Sequence, residues 1–526
     1  MTVSTKSLTR LLFKSGHQYF TIRQNIIRSR PFSSSLTRTN NVERKNHYPR
    51  FQKAVNEGKY INIIDMKQQE SLLKNGEKSQ DIVTLTGRIM SKRESSGKLV
   101  FYDIMHHGES IQVVASKNRF DQPELFADMN RTTSRGDIFA FTGVIGKTNH
   151  GQLSLFTNKF RLLTPCLHDL PKSGLKDPEK RFRQRYLDML VNPEPLKTLK
   201  TRSHIIRFIR QFLDKRDFLE VETPILASAA GGASARPFIT KANSLNMDMQ
   251  LRIAPELYLK QLVIGGVDRV FEIGKQFRNE GIDADHNPEF TTCEFYQAYG
   301  NLEGLMKDTE TMLSEMVQYI TNSKIITKGN IKLDFGSPFQ RINVVEYLDN
   351  YFKLDNMSSI ATMNATSLRE LCKQHQIPHI QPPYTEARLL DKIISHLIEP
   401  KCIQPTFLYH HPLSLSPLAK DIEIKNGIRV AARFELFVAK KEIVNAYEEL
   451  NDPKEQRIRF EKQLNDRQQG DIEAPIPDME FCEALEYGLP PTAGWGMGID
   501  RVVQLLTDSH HIREVIAFPV MRPLDN

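Results

Sequence analysis

The sequence predicts an α+β protein in which a small β-barrel precedes a larger domain that mixes strands and helices. Three observations predict it. Residues 81–165 carry short alternating apolar runs, IVTLTGRIM, LVFYDIMHHGESIQVVAS, DIFAFTGVIG and QLSLFTNKFRLLT, broken by Gly, Ser and Asn. Strands this dense suit a barrel. Residues 271–297 read as two apolar strands around GIDADHNPE, a loop with Gly, Asn-Pro and three acids, which is turn chemistry. A length of 526 residues exceeds one hydrophobic core, so two or three domains are expected.

Composition sets limits on function. Hydrophobic content of 40% with 25% charged residues is ordinary for globular chains. The five cysteines (Cys166, Cys293, Cys372, Cys402 and Cys482) are widely separated and no CxxC occurs. That pattern suggests neither a zinc site nor a disulfide framework, and a compartment that keeps thiols reduced. No apolar run approaches the roughly 18 residues that would span a bilayer, so no membrane insertion is expected. The net charge of +8 is concentrated at the start: residues 1–42 hold seven Lys or Arg and no acid, leaving 64 basic against 63 acidic groups in the rest.

Taken in order, residues 1–32 are rich in Arg and Ser, lack acids and carry Leu-Leu-Phe and Ile-Ile patches, as in a mitochondrial transit peptide. Arg30-Pro31-Phe32-Ser33 resembles a processing site. A basic arm for RNA is the alternative. Residues 33–80 are polar, with short helices at most. Within the barrel, 81–165, residues 82–165 hold eleven Lys or Arg against seven acids, with Phe101 and Tyr102 adjacent on one strand and Arg88 and Gln112 on others. An OB-type barrel that stacks unpaired bases on aromatics and holds phosphates with cations fits this. One of Phe101 and Tyr102 must be core, since they point to opposite faces. A proline-bearing linker, 166–180, leads into 181–526. There Phe182, Tyr186 and Leu190 recur at a spacing of four, as on a helix. A longer helix over about 196–216 runs into the strand DFLEVETPIL. GGASARPF supplies two glycines that let backbone approach a ligand, or merely turn. RIAPELYLKQLVIGG returns to strand and then helix, with Glu256 near the helix start. Leu302, Leu305, Met306, Met312, Leu313 and Met316 form a core-facing helical stripe. Residues 345–400 read as inserted helices.

The chemistry gathers at the hairpin of 271–297. Arg278 and Glu280, two apart on the first strand, share a face, and Phe290, Thr292, Glu294 and Tyr296 share a face on the second; the loop adds His286. The alternative is a solvated hairpin face. Downstream, RFELFVAKKEIVNAYEELND carries Glu442 and Glu449, seven apart. On a helix they share a face; on a straight strand they point oppositely unless a bulge intervenes. Paired carboxylates suit Mg²⁺ held with phosphate oxygens, although a solvated acidic face is the bland alternative. GWGMGIDRVVQLL brings a glycine-rich strand into a helix starting near Ile499, whose N-terminus and Arg501 favour anions. No GxxxxGK[ST] occurs, so a P-loop is excluded.

FRNEGIDADHNPEFTTCEFY resembles the second signature motif of class II aminoacyl-tRNA synthetases, GWGMGIDRVVQLL the third, and the helix into DFLEVETPIL the first. The preceding barrel is similar to that of the lysine, aspartate and asparagine subgroup. RFRQRYLDML, GGASARPF, RIAPELYLKQL and KEIVNAYEELNDP resemble the lysine branch, and the resemblance covers roughly residues 80–523. It implies an antiparallel catalytic sheet flanked by helices, a homodimer formed through the first motif, and an anticodon-binding barrel. The implied reaction joins L-lysine to ATP as lysyl-adenylate, then moves lysine to the 3′ end of tRNA(Lys), in the mitochondrial matrix. Arg278 would hold the lysine carboxylate and the α-phosphate. Glu280, His286, Asn287 and Phe290 would hold ATP, Arg501 the γ-phosphate, and Glu442 and Glu449 the Mg²⁺. Gly232 and Glu256 would take the α-amino group. Glu294, Tyr296, Asn445, Tyr447 and Glu449 would form the side-chain pocket. In the barrel, Arg88, Phe101 and Gln112 would face RNA.

Val444, Ala446 and Tyr447 depart from the glycines and Phe of the bacterial pattern, and Gln152 replaces an acid often present in the barrel. A catalytically silent RNA-binding relative, a ligase that attaches lysine to protein, and aspartate or asparagine specificity are the rival readings. Deletion of residues 1–32 is expected to abolish import into isolated mitochondria; full import of the shortened chain would mean that the leader lies elsewhere.

Overall fold

The computed structural model describes residues 48–51 and 58–524, apart from 229–230, 234, 337, 355–357, 472–473 and 475–476. The leader expected over 1–32 lies outside the described residues. The chain divides into two compact units at residues 169/170.

In the first unit the expected barrel forms from β1 (Lys78–Ser96), β2 (Leu99–His106), β3 (Glu109–Ser116), β4 (Ile138–Lys147) and β5 (Leu153–Thr164). The order is β1-β2-β3-β5-β4, and β4 pairs back onto β1, so the sheet closes. Closure removes the exposed edges that invite other strands. A short helix, Ile63–Gln68, precedes the barrel with Asn62 as its cap, in line with the expected extension. Tyr102 is the core member of the Phe101–Tyr102 pair. It is fully buried, 5.9 Å from the Phe160 and Phe141 rings. The cross-strand register puts Arg88, Phe101 and Gln112 on the face turned away from the barrel core, where Arg88 and Phe101 are half-buried and Gln112 is buried. Two of them are already oriented by the fold: Arg88 donates to the Gly136 carbonyl at 2.7 Å, and Gln112 Oε1 accepts from Ser154 Oγ at 3.1 Å.

The second unit opens with a departure from the apolar pattern. The spacing of Phe182, Tyr186 and Leu190 does not make one helix; the helix Pro178–Arg183 stops and a second, Arg185–Val191, begins. The buried residue is Arg185, paired with Asp188 at 2.6 Å and donating to the Glu514 carbonyl, while Tyr186 is exposed. An ion pair with satisfied donors, rather than an apolar stripe, anchors this segment.

An eight-stranded sheet forms the body. Its strands are β6 (Leu219–Glu220), β7 (Arg269–Phe277), β8 (Glu289–Ala298), β9 (Gln340–Asn343), β10 (Thr406–Tyr409), β11 (Arg433–Val438), β12 (Lys441–Glu448) and β13 (Thr492–Gly498), in the order β9-β10-β11-β12-β13-β8-β7-β6. The six central strands pair antiparallel; β9 and β6 join the edges in parallel. One face is covered by α1 (Glu194–Asp214) and α3 (Leu302–Thr321), with α2 (Glu256–Ile264) between them in sequence. The methionine stripe of α3 enters that core, with Met306, Met312 and Met316 nearly inaccessible. Phe295 on β8 stacks on Trp495 of β13, ring centroids 4.8 Å apart, and the indole N–H reaches Thr309 Oγ1 of α3 at 2.9 Å. The insertion forms three helices, Val344–Phe352, Ala365–Gln374 and Glu386–Leu397, with a core of their own.

Trp495 is the single tryptophan in the chain. Trp495→Ala removes a buried ring and the donor to Thr309 Oγ1, whose hydroxyl keeps its bond to the Leu305 carbonyl at 2.6 Å, so it is expected to cost about 3–5 kcal/mol. The urea midpoint of the second unit, followed by far-UV circular dichroism, should fall accordingly.

Candidate active site

The uncovered face of the sheet is built by alternation on β13. In Thr492–Gly498, Trp495 and Met497 point into the core, and Gly494, Gly496 and Gly498 face the other way. The register sets these glycines against Tyr296, Glu294 and Thr292 of β8. The glycines leave the floor bare. A Cβ at Gly494 would collide with Glu449 Oε1 and stand 2.6 Å from Tyr296 Cε1. Above this floor lies a cavity of 650 Å³, the size range of a small-molecule site.

Thirteen of the fourteen residues expected to handle ATP and lysine line that cavity: Gly232, Glu256, Arg278, Glu280, His286, Asn287, Phe290, Glu294, Tyr296, Glu442, Asn445, Tyr447 and Arg501. The fourteenth, Glu449, is not among the lining residues; its Oε1 stands over Gly494 beside the Tyr296 ring. Phe290, Thr292, Glu294 and Tyr296 do share the open face of β8. Arg278 and Glu280 are not strand residues, however. Strand β7 ends at Phe277, and the loop begins where the Arg278 amide bonds the Pro288 carbonyl at 2.9 Å. Asn-Pro and the acid-rich loop end the ladder one residue before the arginine.

The loop end is cationic. Arg278 lies over the Phe290 ring at 5.1 Å, and its buried Nε has no partner in the protein. Burial pulls the Arg278 guanidinium below its usual value, against the pull of Glu280, Glu442 and Glu294. Such a group gains most from an incoming anion. Arg501, in the first turn of Ile499–Leu506, donates to the Glu442 carboxylate at 3.0 Å and to its carbonyl at 2.8 Å. His286 Nε2 lies 3.5 Å from Arg501, and Asp283 holds the other ring nitrogen at 2.9 Å. Asn287 is buried and its Oδ1 is unpartnered.

The opposite end is anionic. Glu256 accepts at one oxygen from Tyr447 at 2.7 Å and from Lys260 at 2.6 Å. Gly232, at φ +85°, lies so close that a Cβ there would be 2.9 Å from Glu256 Cβ. Lys260 is fully buried between Glu256 and Glu449; burial alone would lower its pKa, but the two carboxylates hold it above the usual value. Glu449 Oε1, which stands over Gly494, has no hydrogen-bond partner. Burial, reinforced by Glu256, pushes the Glu294 carboxyl up to about 8, and Tyr296 shifts upward for the same reason. A buried acceptor without a donor and a carboxyl forced toward neutrality are the marks of a site shaped for a cation. Lys260 was missed in the sequence, although its i,i+4 spacing from Glu256 is a helix ion-pair signal.

The carboxylate pair Glu442 and Glu449 is not brought together. Both lie on or beside β12, and a strand advances about 3.3 Å per residue, so seven residues separate them far beyond shared metal coordination. Glu449 is instead committed to Lys260. A bulge does intervene. Glu442 opposes Phe437 and Val444 opposes Leu436, leaving Ile443 unpaired. This turns Glu442 onto the same open face as Asn445 and Tyr447. The carboxylate that neighbours Glu442 across the hairpin is Glu435, also in the cavity wall. Burial opposes its ionisation, but Arg433 and His411, the latter at 3.2 Å, hold the Glu435 carboxyl down to about 2. Arg433 Nε also orients Asn445 Oδ1 at 2.9 Å. Among the described residues no three His, Cys, Asp or Glu side chains form a closed metal cage. A Mg²⁺ held by one or two carboxylates plus substrate phosphates needs none.

Comparison with known proteins gives a consistent picture. The family model described as tRNA synthetases class II (D, K and N) matches residues 177–522, and one described as an OB-fold nucleic acid binding domain matches 83–163. A lysine–tRNA ligase of Cladosporium cladosporioides is 45% identical, over 97% of this chain and 85% of its own length. A probable cytoplasmic lysine–tRNA ligase of Encephalitozoon cuniculi is 46% identical over 84% and 88%. A lysine–tRNA ligase of Bacillus subtilis is 43% identical over 84% and 87%.

The raised Glu294 pKa has a consequence for stability. Between the ordinary 4.5 and about 8 the folded chain keeps a proton that the unfolded chain has lost, so unfolding free energy falls as pH rises through that window. Glu294→Gln is expected to flatten this decline, read from denaturation midpoints at pH 5 to 9; an unchanged slope would mean that Glu294 ionises normally.

Proposed function

The chain belongs to the class II tRNA synthetases of the aspartate, lysine and asparagine group, and from that premise we propose that it is a lysine–tRNA ligase serving mitochondrial translation. The observation that carries the amino-acid assignment is the anionic end of the cavity. Glu294, Tyr296 and the unpartnered Glu449 Oε1 converge over the glycine floor. An aspartate side chain would need a cation there. An ammonium meets acceptors that burial leaves unsatisfied, and a site built to pair a polar group rejects analogues lacking it by roughly 10⁴–10⁵.

The geometry supports a two-part division of labour. Gly232 and Glu256 take the α-ammonium of lysine; Glu294, Tyr296, Asn445, Tyr447 and Glu449 take the side chain. Arg278, between the two ends, holds the lysine carboxylate and the α-phosphate. Glu280, His286, Asn287 and Phe290 hold ATP, with Phe290 against the adenine, and Arg501 grips the γ-phosphate. The lysine carboxylate is already a nucleophile, so no general base is required. The residues align two anions and stabilise charge at the α-phosphorus. Attack by the carboxylate oxygen on that phosphorus forms lysyl-adenylate as the bond to pyrophosphate breaks; the tRNA 3′-terminal hydroxyl then attacks the acyl carbon and AMP leaves. Glu442 and Glu435 are the carboxylates that would hold Mg²⁺, which supplies neutralisation of phosphate charge when bound. Glu449 belongs to the lysine pocket alone.

The barrel's outer face, with Arg88, Phe101 and Gln112, is the proposed contact for the anticodon of tRNA(Lys). The acid-free residues 1–42 support delivery to the mitochondrial matrix, and the first-motif segment supports a homodimer.

Amino-acid-dependent exchange of pyrophosphate into ATP tests the assignment. Across the twenty amino acids, exchange should be fastest with lysine, and Arg278→Ala should slow it by an amount equivalent to about 2.7–4 kcal/mol. Faster exchange with any other amino acid overturns the reading.

A further inference from the structure

Lys260 takes no part in the chemistry above, yet its ammonium is fully enclosed. Nζ lies 2.6 Å from Glu256 Oε1 and is paired with Glu449 Oε2, and the rings of Tyr447 and Phe481 each stand 5.7 Å from it. The two carboxylates come from distant places, Glu256 from the first turn of α2 and Glu449 from just beyond β12. Under the assignments above, one receives the α-ammonium of the substrate and the other the side-chain ammonium. A single internal cation therefore ties together the acceptors for both ends of the molecule.

We propose that Lys260 is a positioning residue that fixes the separation of Glu256 and Glu449, and so sets the length of diamino acid that the pocket accepts, lysine over ornithine. The inference rests on the lysine reading of the site. Charge supports it. Glu256, Glu294 and Glu449 place three carboxylates at this end, and a lysine substrate brings two ammonium groups; Lys260 is the third cation, without which one carboxylate would stay buried and uncompensated. Length supports it as well. An apolar slot separates homologues differing by one methylene by only about 10–200-fold. Acceptors held at a set spacing add a penalty, because the shorter molecule must leave one of them unpaired. Glu256 is tethered a second time, by the Tyr447 hydroxyl at 2.7 Å.

Pyrophosphate exchange with lysine and with ornithine, on the full-length chain and on Lys260→Met and Tyr447→Phe, provides the test. In Lys260→Met the KM for lysine should rise at least tenfold, the KM for ATP should stay within twofold, and the ornithine-to-lysine ratio of kcat/KM should rise at least fivefold. Tyr447→Phe, which loosens only one tether, should raise that ratio about twofold. An unchanged ratio in Lys260→Met, or lysine and ATP constants that worsen together, would show that Lys260 only supports the fold and overturns the inference. If circular dichroism shows that Lys260→Met does not fold, the Tyr447→Phe ratio decides, and no change there is likewise negative. Failure of the lysine reading itself is separately visible, because the unsubstituted protein would then show no lysine-dependent exchange.

Discussion

The second unit depends on one constraint, the alternation of large and absent side chains along β13. Trp495 and Met497 fill the core side and are locked there by Phe295 and Thr309. The same strand must then present Gly494, Gly496 and Gly498 on its other side, which lets Tyr296 and Glu449 close in over Gly494. Core packing and pocket depth are thus two consequences of a single period-2 pattern. Neither side can be altered without the other, since a strand shifted by one residue exchanges its faces.

The cavity is electrically divided. Unpaired or weakly paired cations, Arg278 and Arg501, occupy one end, and carboxylates in excess of cations occupy the other. The protein holds this separation only by internal compensation: Lys260 between Glu256 and Glu449, Arg433 and His411 around Glu435, Glu442 on Arg501. Each compensating contact is one that a substrate of opposite charge can relieve or replace. Preorganised charge of this kind costs stability in the empty protein and is recovered on binding.

Much of this was legible in the sequence because it is local. Period-2 runs marked the barrel and the face shared by Phe290, Thr292, Glu294 and Tyr296; helical spacing marked the methionine stripe; glycine composition marked the strand before Arg501. What was not legible depended on long-range register or on polar burial. Phe182, Tyr186 and Leu190 obeyed a helical rule, but Arg185 with its ion pair became the buried residue. Glu442 and Glu449 matched as a pair of acids, whereas the fold set Glu442 opposite Phe437, on the same face as Glu435 of the facing strand, and gave Glu449 to a lysine. That lysine stood four residues after Glu256 in plain view; a salt-bridge spacing says nothing of depth until the partner from β12 is placed.

The bulge at Ile443 carries an implication for how this segment can vary. Ile443 is the extra residue there: a strand that kept it but lost the bulge would rotate Glu442 from the cavity face toward the core and strand Arg501, whereas loss of Ile443 itself would leave Glu442 opposite Phe437 on the cavity face. The bulge, rather than the number of residues, is what keeps Glu442 and Asn445 on one face.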